Sequence, residues 1–332
     1  MKAICIHAYG GPEVMQLQET PTPVPESGEV LVRIHAASVN FLDVQHRRGE
    51  LVHQAFYQEK GGLTTFLPLT LGSQGVGTIE QLGSDCPPHL TVGDRVLLFG
   101  GTGTYATHAV TKADRVMPIP SELNDDQAGA GLTQGFLAYA FTHRAYPVNP
   151  GDWCLVQAAA GGLGLLLVQM IKLRGGRVIA VTSTAVKGEI ARQYGADEVI
   201  VSSESNIAEE ARRITDGRGV HVVYDGVGKD TFEANLDSLG LGGYLIIYGQ
   251  ASGFIPPVDL IMLQEKGSLF ITRTNGLPYR QHWPEFMSLL IKWLQEGKLD
   301  IPIDRKYSLS EAAEAHSRFE QRQSAGRILL VP

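Results

Sequence analysis

The stretch VQAAAGGLGLLLVQ, residues 156–169, contains the end of an apolar strand, a turn of small residues and the start of a helix. Ala159, Gly161 and Gly164 have the spacing of a G-x-G-x-x-G motif, with alanine in the first place. In this motif the second glycine lets a pyrophosphate approach the backbone, and the third lets the helix pack close to the sheet. Free N–H groups at the helix start also suit phosphates. The stretch therefore predicts a dinucleotide site, with a tight turn that binds no ligand as the alternative.

Short apolar strands recur along the chain from residue 153 onward. We predict them at residues 153–157, 177–182, 198–201, 220–225, 243–249 and 268–273. Helices are predicted between the first three strands, ending near Arg174 and Tyr194. Nearly continuous apolar strands joined by helical crossovers are typical of a parallel, doubly wound sheet. This part of the chain is therefore predicted to be α/β.

The remainder of the chain has a different pattern. Strands are predicted at residues 29–39, 91–100 and 103–112, in a segment rich in Gly and Pro. Helices are predicted at residues 125–146 and 282–297, and a final strand at residues 326–332. The N-terminal segment is therefore predicted to be β-rich.

Composition and charge argue against several classes of protein. The 332 residues carry a formal net charge of -7, so we expect neither a nucleic acid nor a membrane as partner. The three cysteines are widely spaced and form neither a disulfide framework nor a CxxC pair, which suits a reducing compartment. The N-terminus lacks a long apolar region, so we expect no signal peptide and a cytoplasmic location.

The end of the strand at residues 177–182 indicates which dinucleotide binds. An Asp or Glu at this position bonds the ribose 2′-OH of NAD, whereas a neutral end with a nearby cation accepts the 2′-phosphate of NADP. Here the strand runs into Thr182, Ser183 and Thr184, and Lys187 follows. Ser183 can donate to phosphate oxygens, and Lys187 supplies positive charge. We predict NADPH rather than NADH as cofactor; a solvated Lys187 without this role is the alternative.

Seven motifs, in order along the chain, carry a family resemblance. They are GGPEV (10–14), VNFLD (39–43), VGDRV (92–96), AAAGGLG (158–164), GADEVI (195–200), VVYDGVG (222–228) and GSLFITR (267–273). With these motifs the chain resembles the zinc-independent, zeta-crystallin-like quinone oxidoreductases of the medium-chain dehydrogenase/reductase superfamily. The resemblance implies a Rossmann NADPH-binding domain at residues 126–274, with a GroES-like β-rich catalytic domain at residues 1–125 and 275–332. It also implies an active site in the cleft between these domains and a homodimer formed through the last Rossmann strand.

The resemblance further implies which residues contact the cofactor. They are Ala160, Gly161, Gly162, Leu163, Ser183, Lys187, Ser202, Tyr248, Gly249, Gln250, Phe270, Thr272 and Arg322. Ser202 stands where relatives have a tyrosine that contacts the adenine. For Arg327, also in the tail, we prefer a surface charge on a strand over a phosphate contact.

The same comparison predicts that no metal is bound. Zinc-dependent relatives have a Cys, then a Gly-His-Glu, then a lobe with four Cys. This chain has Asn40 for the Cys and Gly72-Ser73-Gln74 for the Gly-His-Glu, and it lacks the four-Cys run. Zinc needs nitrogen, sulfur or carboxylate ligands in a close tetrahedral set. His46, His53 and His108 have no recognisable ligand spacing, and we interpret them as surface or pocket residues.

Without a metal, the cofactor supplies the reactivity. NADPH can give a hydride to a quinone or to the β-carbon of an enone. The protein then has to align the nicotinamide with the acceptor and to stabilise the oxygen that becomes negative. The resemblance places Asn40 beside the nicotinamide, and Asp43 follows on the same segment. We expect both to be catalytic, although Asp43 is equally well explained as a helix cap or turn residue.

Departures from the family pattern fall around the substrate pocket. Gln45 replaces a frequent Tyr, and Gln134 and Leu137 replace a Lys and a Thr of the helix behind the nicotinamide. The loop at residues 50–68 is longer than usual, and its aromatic residues, including Tyr57, either cover the cleft as a lid or pack locally. We expect Gln45, Tyr57 and Gln134 to line the substrate pocket.

The favoured function is NADPH-dependent reduction of quinones or activated alkenes by direct hydride transfer. One alternative is a reductase specific for one enoyl or 2-haloacrylate-type alkene. The other is a protein that binds NADPH with little turnover, as crystallins do. Saturation of a single alkene would favour the first alternative, and binding without NADPH oxidation would favour the second.

Overall fold

The computed structural model describes residues 1–50 and 67–332. It divides into two compact units, each described here by itself. The terminal unit comprises Met1–Thr133 with Ile303–Pro332, and the central unit comprises Gln134–Pro302. The chain passes from one unit to the other after residues 133 and 302, whereas the sequence placed domain boundaries after residues 125 and 274. The domain limits therefore stay a prediction.

The regular elements of the described residues are numbered in chain order. The strands are β1 (Lys2–Ile6), β2 (Gln16–Glu19), β3 (Glu29–Ser38), β4 (Leu69–Thr70), β5 (Gln74–Leu82), β6 (Arg95–Phe99), β7 (His108–Lys112), β8 (Val116–Pro118), β9 (Trp153–Val156), β10 (Arg177–Thr182), β11 (Glu198–Val201), β12 (Val220–Asp225), β13 (Leu239–Ile247), β14 (Phe270–Arg273), β15 (Ile303–Ser308) and β16 (Arg327–Val331). The α-helices are α1 (Phe41–Arg48), α2 (Asp125–Ala140), α3 (Gly162–Leu173), α4 (Ala185–Gln193), α5 (Ile207–Ile214), α6 (Phe232–Ser238), α7 (Ile261–Glu265), α8 (Trp283–Gln295) and α9 (Ala312–Glu320).

The terminal unit is β-rich, as the sequence predicts. Its larger sheet has the order β15-β16-β3-β5-β6-β8, and β7 also pairs with β3. The pairs are antiparallel except β15–β16, which is parallel. Apolar side chains of these strands, including Val30, Val32 and Ile34, are buried in one core cluster. Because β16 lies beside β3, the C-terminal tail reaches the segment that follows β3.

The central unit contains a parallel sheet with the order β11-β10-β9-β12-β13-β14. Numbered from β9, this is the order 3-2-1-4-5-6 of the dinucleotide-binding Rossmann fold. The strands β9 and β10 are apolar and almost wholly buried, as expected for a sheet covered on both faces. The predicted doubly wound parallel sheet is therefore confirmed.

The turn from β9 into α3 depends on a glycine. A Cβ on Gly164 would lie 2.5 Å from the carbonyl oxygen of Ala158 and 2.7 Å from that of Ala159. Real Cβ atoms do not approach backbone oxygens so closely, so no other residue fits without moving the helix. Ala158 itself adopts a positive φ of 50°. The G-x-G-x-x-G spacing thus has the packing role at its third glycine that the sequence predicts.

Two predicted elements differ in extent from those observed. The helix predicted at residues 125–146 ends at Ala140, and residues 141–145 form a wider helical turn in which Tyr146 N–H donates to the Phe141 carbonyl at 3.1 Å. The strand predicted at residues 103–112 begins only at His108.

In residues 1–50 and 67–332, no helix combines the length and apolar character that crossing a membrane requires.

Replacing Gly164 with Ala is expected to destabilise the central unit. The added methyl group must push α3 away from β9, which should cost about 2–3 kcal/mol of unfolding free energy. Urea denaturation followed by circular dichroism measures this cost. Gly101→Ala is the matched control, because the nearest atom to its new methyl would be 3.9 Å away. Equal stability of both variants would contradict the proposed packing constraint.

Candidate active site

The carboxyl ends of the parallel strands lie together along one side of the central sheet, which we call the ligand edge. Ligands of doubly wound sheets bind at this position. Most of the predicted cofactor residues lie in the segments that follow these strands. The structure brings together Ala160, Gly161, Gly162 and Leu163 after β9, Ser183 and Lys187 after β10, Ser202 after β11, and Tyr248, Gly249 and Gln250 after β13.

The turn after β9 offers backbone donors to a ligand. Gly161 is the N-cap of α3, and it has no side chain to bond the first N–H groups of the helix. A Cβ on Gly161 would meet the Ala158 carbonyl oxygen at 3.2 Å and, among described residues, nothing else within 4 Å. Free N–H groups and the positive end of the helix dipole favour an anion here. The turn therefore fits the pyrophosphate of a dinucleotide.

The turn after β10 is neutral and then basic. The buried Thr182 donates through Oγ1 to the Thr184 carbonyl at 3.0 Å. Thr184 then caps α4, its Oγ1 accepting from the Lys187 N–H at 3.4 Å. Ser183 and Lys187 are both half-buried. Hydroxyl and ammonium groups without a carboxylate at this strand end suit a 2′-phosphate better than a free 2′-OH.

Ser202 lies beside the same turn because β11 neighbours β10. Its N–H and its hydroxyl both donate to the Thr182 carbonyl, at 2.9 and 3.2 Å. The Ser203 hydroxyl donates to the Ser183 carbonyl at 3.2 Å. These bonds join the ends of β10 and β11 and hold Ser183 in place. The predicted contact of Ser202 with a cofactor stays a prediction.

A buried carboxylate, Asp225, ends β12. It accepts from the N–H groups of Val227 at 2.8 Å and Gly228 at 3.1 Å, and from the Thr231 hydroxyl at 3.2 Å. Burial raises the pKa of Asp225, although these hydrogen bonds lower it. The carboxylate therefore shapes the turn between β12 and the next helix.

The segment after β13 packs tightly against that turn. The ring of Tyr248 stacks on Phe141, with centroids 5.4 Å apart and an interplanar angle of 19°. Burial raises the pKa of Tyr248, so its phenol is neutral at pH 7. A Cβ on Gly249 would lie 2.6 Å from the Gly226 carbonyl oxygen. Close backbone packing therefore places Tyr248 and Gly249 firmly at the ligand edge.

Phe270 and Thr272 are the predicted cofactor residues of β14, the outermost strand on one flank of the central sheet. They lie near opposite ends of this strand. Thr272 is half-buried near the carboxyl end, where Arg273 Nη2 donates to Gln250 Oε1 at 2.5 Å. Phe270 begins the strand, and its ring stacks on Tyr244 with centroids 4.6 Å apart. The structure thus brings Thr272 towards the ligand edge and places the Phe270 ring at the other end of the strand.

In the terminal unit, Asn40 lies between β3 and α1, and its amide makes several hydrogen bonds. Oδ1 accepts from Arg327 Nη2 at 2.8 Å. Nδ2 is 3.3 Å from Ser73 Oγ and 3.4 Å from both Gln74 Oε1 and the Ser38 carbonyl. The contact at the amide oxygen is therefore shorter than these three contacts at the amide nitrogen.

Asp43 is buried in the first turn of α1, next to Asn40. Its Oδ2 accepts from the Asn40 backbone N–H at 2.9 Å and from the Tyr105 hydroxyl at 3.0 Å. Burial raises the pKa of Asp43 to about 6, while hydrogen bonds from Ser73, Asn40 and Tyr105 lower it. Asp43 thus caps the helix, which was one of its two interpretations; its catalytic role stays a prediction.

A buried chain of hydrogen bonds continues beyond Asp43. His316 Nδ1 lies 3.1 Å from Arg47 Nη1, and His316 Nε2 lies 3.1 Å from the Tyr105 hydroxyl. A guanidinium only donates, so Nδ1 accepts and the imidazole proton is on Nε2. This proton is donated to the Tyr105 oxygen, and the Tyr105 proton is donated to Asp43. Burial, and then Arg47, lowers the pKa of His316 to about 3, so its ring is neutral at pH 7.

Arg47 is fully buried and balanced by one carboxylate. Both oxygens of Glu320 accept from Arg47 Nη2 at 2.8 Å, and Glu320 also pairs with Arg48. Arg47 Nε donates to the Gly10 carbonyl at 3.1 Å. A buried cation is tolerated when it is paired and hydrogen-bonded in this way. The pair joins α1 to α9.

The sequence analysis missed the importance of Arg327. The residue is 7% exposed, so its interpretation as a surface charge is wrong. Burial lowers the pKa of Arg327 to about 10, while Asp43 and Tyr105 raise it, so the guanidinium is charged at pH 7. The sequence signal that could have identified Arg327 is its position at the start of the predicted final strand. In the structure this strand pairs with β3, which leads to Asn40.

The other predicted residues lie in different places. Gln45 and Gln134 are buried, in α1 and α2 respectively. Arg322 is exposed just after α9, with a φ of 56°. Tyr57 lies outside the described residues, as do 51–66 of the long loop. His46 is 1% exposed and is therefore not a surface residue.

The side chains at the zinc position of the resemblance do not fit a zinc ion. Asn40, Ser73 and Gln74 provide amide and hydroxyl groups, and the Asn40 oxygen is already bonded to a guanidinium. Zinc is bound by thiolate, imidazole or carboxylate. Across residues 1–50 and 67–332, no three His, Cys, Asp or Glu side chains are grouped so that they could hold a metal ion.

Comparisons with known proteins agree with this architecture. Residues 26–121 match the family described as alcohol dehydrogenase GroES-like domain, and residues 162–292 match zinc-binding dehydrogenase. The chain is 35% identical to a quinone oxidoreductase of Pseudomonas aeruginosa, over 100% of this chain and 99% of the relative. It is 36% identical to a 2-haloacrylate reductase of Burkholderia sp, over 99% and 98%. The crystal structure of Escherichia coli quinone oxidoreductase complexed with NADPH matches all of both chains, with a TM-score of 0.91 and 32% identity.

A GroES-like unit combined with a Rossmann sheet defines a medium-chain dehydrogenase/reductase. Within that superfamily, the chain belongs to the zinc-independent, zeta-crystallin-like quinone oxidoreductase family. The fold class and the family resemblance inferred from the motifs are therefore confirmed.

The buried histidines make stability depend on pH in a definite direction. Burial lowers the pKa of His316 to about 3 and those of His46 and His143 to about 4. Between these values and about 6.5, the unfolded chain binds protons that the folded chain excludes, so stability present above pH 6.5 is lost as the pH falls. Asp43, with its raised pKa, opposes this loss below about pH 6.

We expect the unfolding free energy to drop by roughly 2–3 kcal/mol between pH 7 and pH 5.5. Urea titrations at the two pH values measure the drop. In His316→Gln, an amide can still accept from Arg47 and donate to Tyr105 but does not titrate. Its drop should therefore be smaller by about 1 kcal/mol. An identical drop in both proteins would contradict the neutral buried His316.

Proposed function

We propose that this protein reduces quinones or activated alkenes with NADPH, by direct hydride transfer and without a metal. The observation that carries the proposal is the end of β10, where Ser183 and Lys187 follow Thr182 and no carboxylate is present. The related Escherichia coli quinone oxidoreductase forms a complex with NADPH, and the Burkholderia relative is a 2-haloacrylate reductase. Both relationships support this reaction class.

The central unit binds and orients the cofactor. The N–H groups at the start of α3 bind the pyrophosphate, and Gly161 leaves space for it. Ser183 and Lys187 bind the 2′-phosphate, held by the Thr184 cap and the bond from Ser203. NADPH supplies the hydride when it is bound. Tyr248 and Gly249 after β13 and Thr272 in β14 would hold the nicotinamide end.

The terminal unit supplies the polar groups that the acceptor needs. Asn40 donates from Nδ2 to the acceptor oxygen on which negative charge develops. Asp43 caps α1 through the Asn40 backbone N–H and so keeps Asn40 at the start of the helix. Because Asp43 is buried and bonded to Tyr105, we assign it to holding Asn40 rather than to proton transfer.

NADPH oxidation should be measured with three groups of acceptors: quinones, enones and 2-haloacrylates. We expect turnover with acceptors that have a conjugated carbonyl or carboxylate. Turnover of a single alkene with indifference to quinones would replace the proposal with a specific alkene reductase. Binding of NADPH without oxidation by any acceptor would leave a low-turnover binding protein.

Lys187→Ala tests the choice of cofactor. Loss of a charge-assisted bond to the 2′-phosphate should weaken NADPH binding by about 1.5–3 kcal/mol, which is tenfold or more. NADH, which lacks this phosphate, should bind within about twofold of the wild type. Fluorescence titration with both cofactors gives the two values. Lys298→Ala, at an exposed lysine paired with Glu296, is the control, and equal losses for NADPH and NADH would refute the assignment.

We also propose a cytoplasmic homodimer, formed through β14 of the central sheet. β14 is an edge strand, and unpaired strand edges are templates for pairing. Large apolar side chains are exposed on β14, on β13 and in the segment that joins them: Leu241, Phe254, Leu260, Ile261 and Phe270. A second copy related by a twofold axis would extend the sheet and cover this apolar patch.

Phe270→Asp should convert this dimer to a monomer. The ring is 53% exposed on the edge strand, and a charge there cannot be buried against its symmetry copy. Sedimentation velocity gives the mass of the wild type and the variant. Val92→Asp, at an exposed valine of the terminal unit, should leave the mass unchanged. A wild type that sediments as a monomer would contradict the dimer.

A further inference from the structure

Arg327 determines which way the Asn40 amide points. The oxygen and nitrogen of an amide are nearly the same size, so its orientation follows from its partners. Arg327 has only donors, and its Nη2 lies 2.8 Å from Asn40 Oδ1. Rotating the amide by half a turn would set two donor groups against each other. The Asn40 NH2 group is therefore held on the side away from Arg327.

The fold delivers Arg327 to this position. The Val39 N–H donates to the Ile328 carbonyl at 3.0 Å. Arg327 precedes Ile328 and Asn40 follows Val39, so the two side chains come from adjacent positions at the end of one strand pair. Their contact spans 287 residues of sequence. It therefore depends on the sheet rather than on local chain conformation.

The guanidinium is a fixed charge beside the amide. Arg327 is 7% exposed, and the buried Asp43 interacts with it electrostatically. A buried charge is unfavourable unless nearby groups compensate it, so the guanidinium is held where it reaches Asn40 Oδ1. A cation bonded to an amide oxygen polarises the amide, and hydrogen-bonded groups in a chain strengthen one another. Arg327 thus makes the Asn40 N–H groups better donors.

Three contacts of Asn40 Nδ2 are long for hydrogen bonds. The contacts to Ser73, Gln74 and the Ser38 carbonyl are 3.3–3.4 Å long, whereas a typical N–H···O bond is about 2.9–3.0 Å. An oxygen that carries negative charge forms shorter and stronger bonds. It would therefore displace these partners.

We propose that Arg327 is a positioning residue that makes the Asn40 side chain a dedicated hydrogen-bond donor. The protein thereby selects acceptors whose oxygen becomes negative on reduction, namely quinones and alkenes conjugated to a carbonyl or carboxylate. The hydride's electron pair forms a new C–H bond at the acceptor ring or β-carbon, the π electrons of the acceptor shift so that the conjugated oxygen becomes negative, and a proton from water neutralises the resulting anion; a reduced quinone then tautomerises to the hydroquinone. This inference rests on the proposed function and assigns the acceptor class to the same site.

The test is a double-mutant cycle of Asn40→Ala and Arg327→Gln, assayed with a quinone and an enone. Arg327→Gln should lower kcat about tenfold and leave the KM for NADPH within about twofold. Since Arg327 acts through Asn40, the double variant should be no slower than Asn40→Ala alone. Arg327→Lys, which keeps the charge and a donor, should recover part of the rate. Arg33→Gln, at an exposed arginine of the same unit paired with Glu80, is the matched control.

A measurement without turnover accompanies the cycle. The side-chain amide resonances of Asn40, identified by their loss in Asn40→Ala, should shift in Arg327→Gln and stay in place in Arg33→Gln. Unchanged resonances would overturn the proposal. So would losses of kcat that multiply in the double variant, or a loss in Arg327→Gln confined to NADPH affinity.

If Arg327→Gln fails to fold by circular dichroism, Arg327→Lys takes its place in the cycle, and a loss of kcat in that variant that multiplies with the loss in Asn40→Ala overturns the inference. A wild-type protein that oxidises no NADPH with any acceptor refutes the proposed function itself. An active wild type with additive variants refutes only the role of Arg327.

Discussion

The terminal unit depends on pairing charges that have been removed from water. Asp43, Arg47 and Arg327 are buried, and an unpaired charge in such a position costs several kcal/mol. Glu320 balances Arg47, Asp43 interacts electrostatically with Arg327, and Tyr105 and His316 link Asp43 to Arg47 through hydrogen bonds. Each of these buried groups is held in position by its interactions with the others. Asn40 takes its backbone position and its amide orientation from this cluster, so the chemistry assigned to it follows from electrostatics.

The central unit differs from the terminal unit because its ligand edge uses few charged side chains. Its ligand edge is made of backbone groups: a glycine turn, a helix start without a side-chain cap, and strand ends joined through Thr182 and Ser202. Close contacts at Gly164 and Gly249 exclude side chains where main chain meets main chain. Such a cradle recognises phosphates by geometry. Under the proposed function, the central unit would hold the phosphates of the cofactor and the terminal unit would supply buried polar side chains.

The sequence predicted the central unit well because its signals are local. Continuous apolar strands, a glycine turn and a neutral strand end each occupy a few consecutive residues, and the observed strand order agrees with them. The site in the terminal unit was predicted only in part. Asn40 and Asp43 were found through a motif, but their partners are distant in sequence: Tyr105 is 62 residues from Asp43, and Arg327 is 287 residues from Asn40. Strands such as β5, with two glycines, and the two-residue β4 carry weak patterns and were missed.

The C-terminal tail has a consequence for how the protein is made. His316, Glu320 and Arg327 all come from the last segment of the chain, and they complete a cluster whose other half is encoded near the N-terminus. During synthesis, Asp43 and Arg47 emerge before His316, Glu320 and Arg327, so this half stays hydrated until residues 316–327 have been made. The contiguous central unit has no such delay and can fold while the ribosome is still at work. The cluster around Asn40 is therefore completed after the central unit can fold, and a chain cut before residue 316 would lack the groups that compensate Arg47 and orient the Asn40 amide.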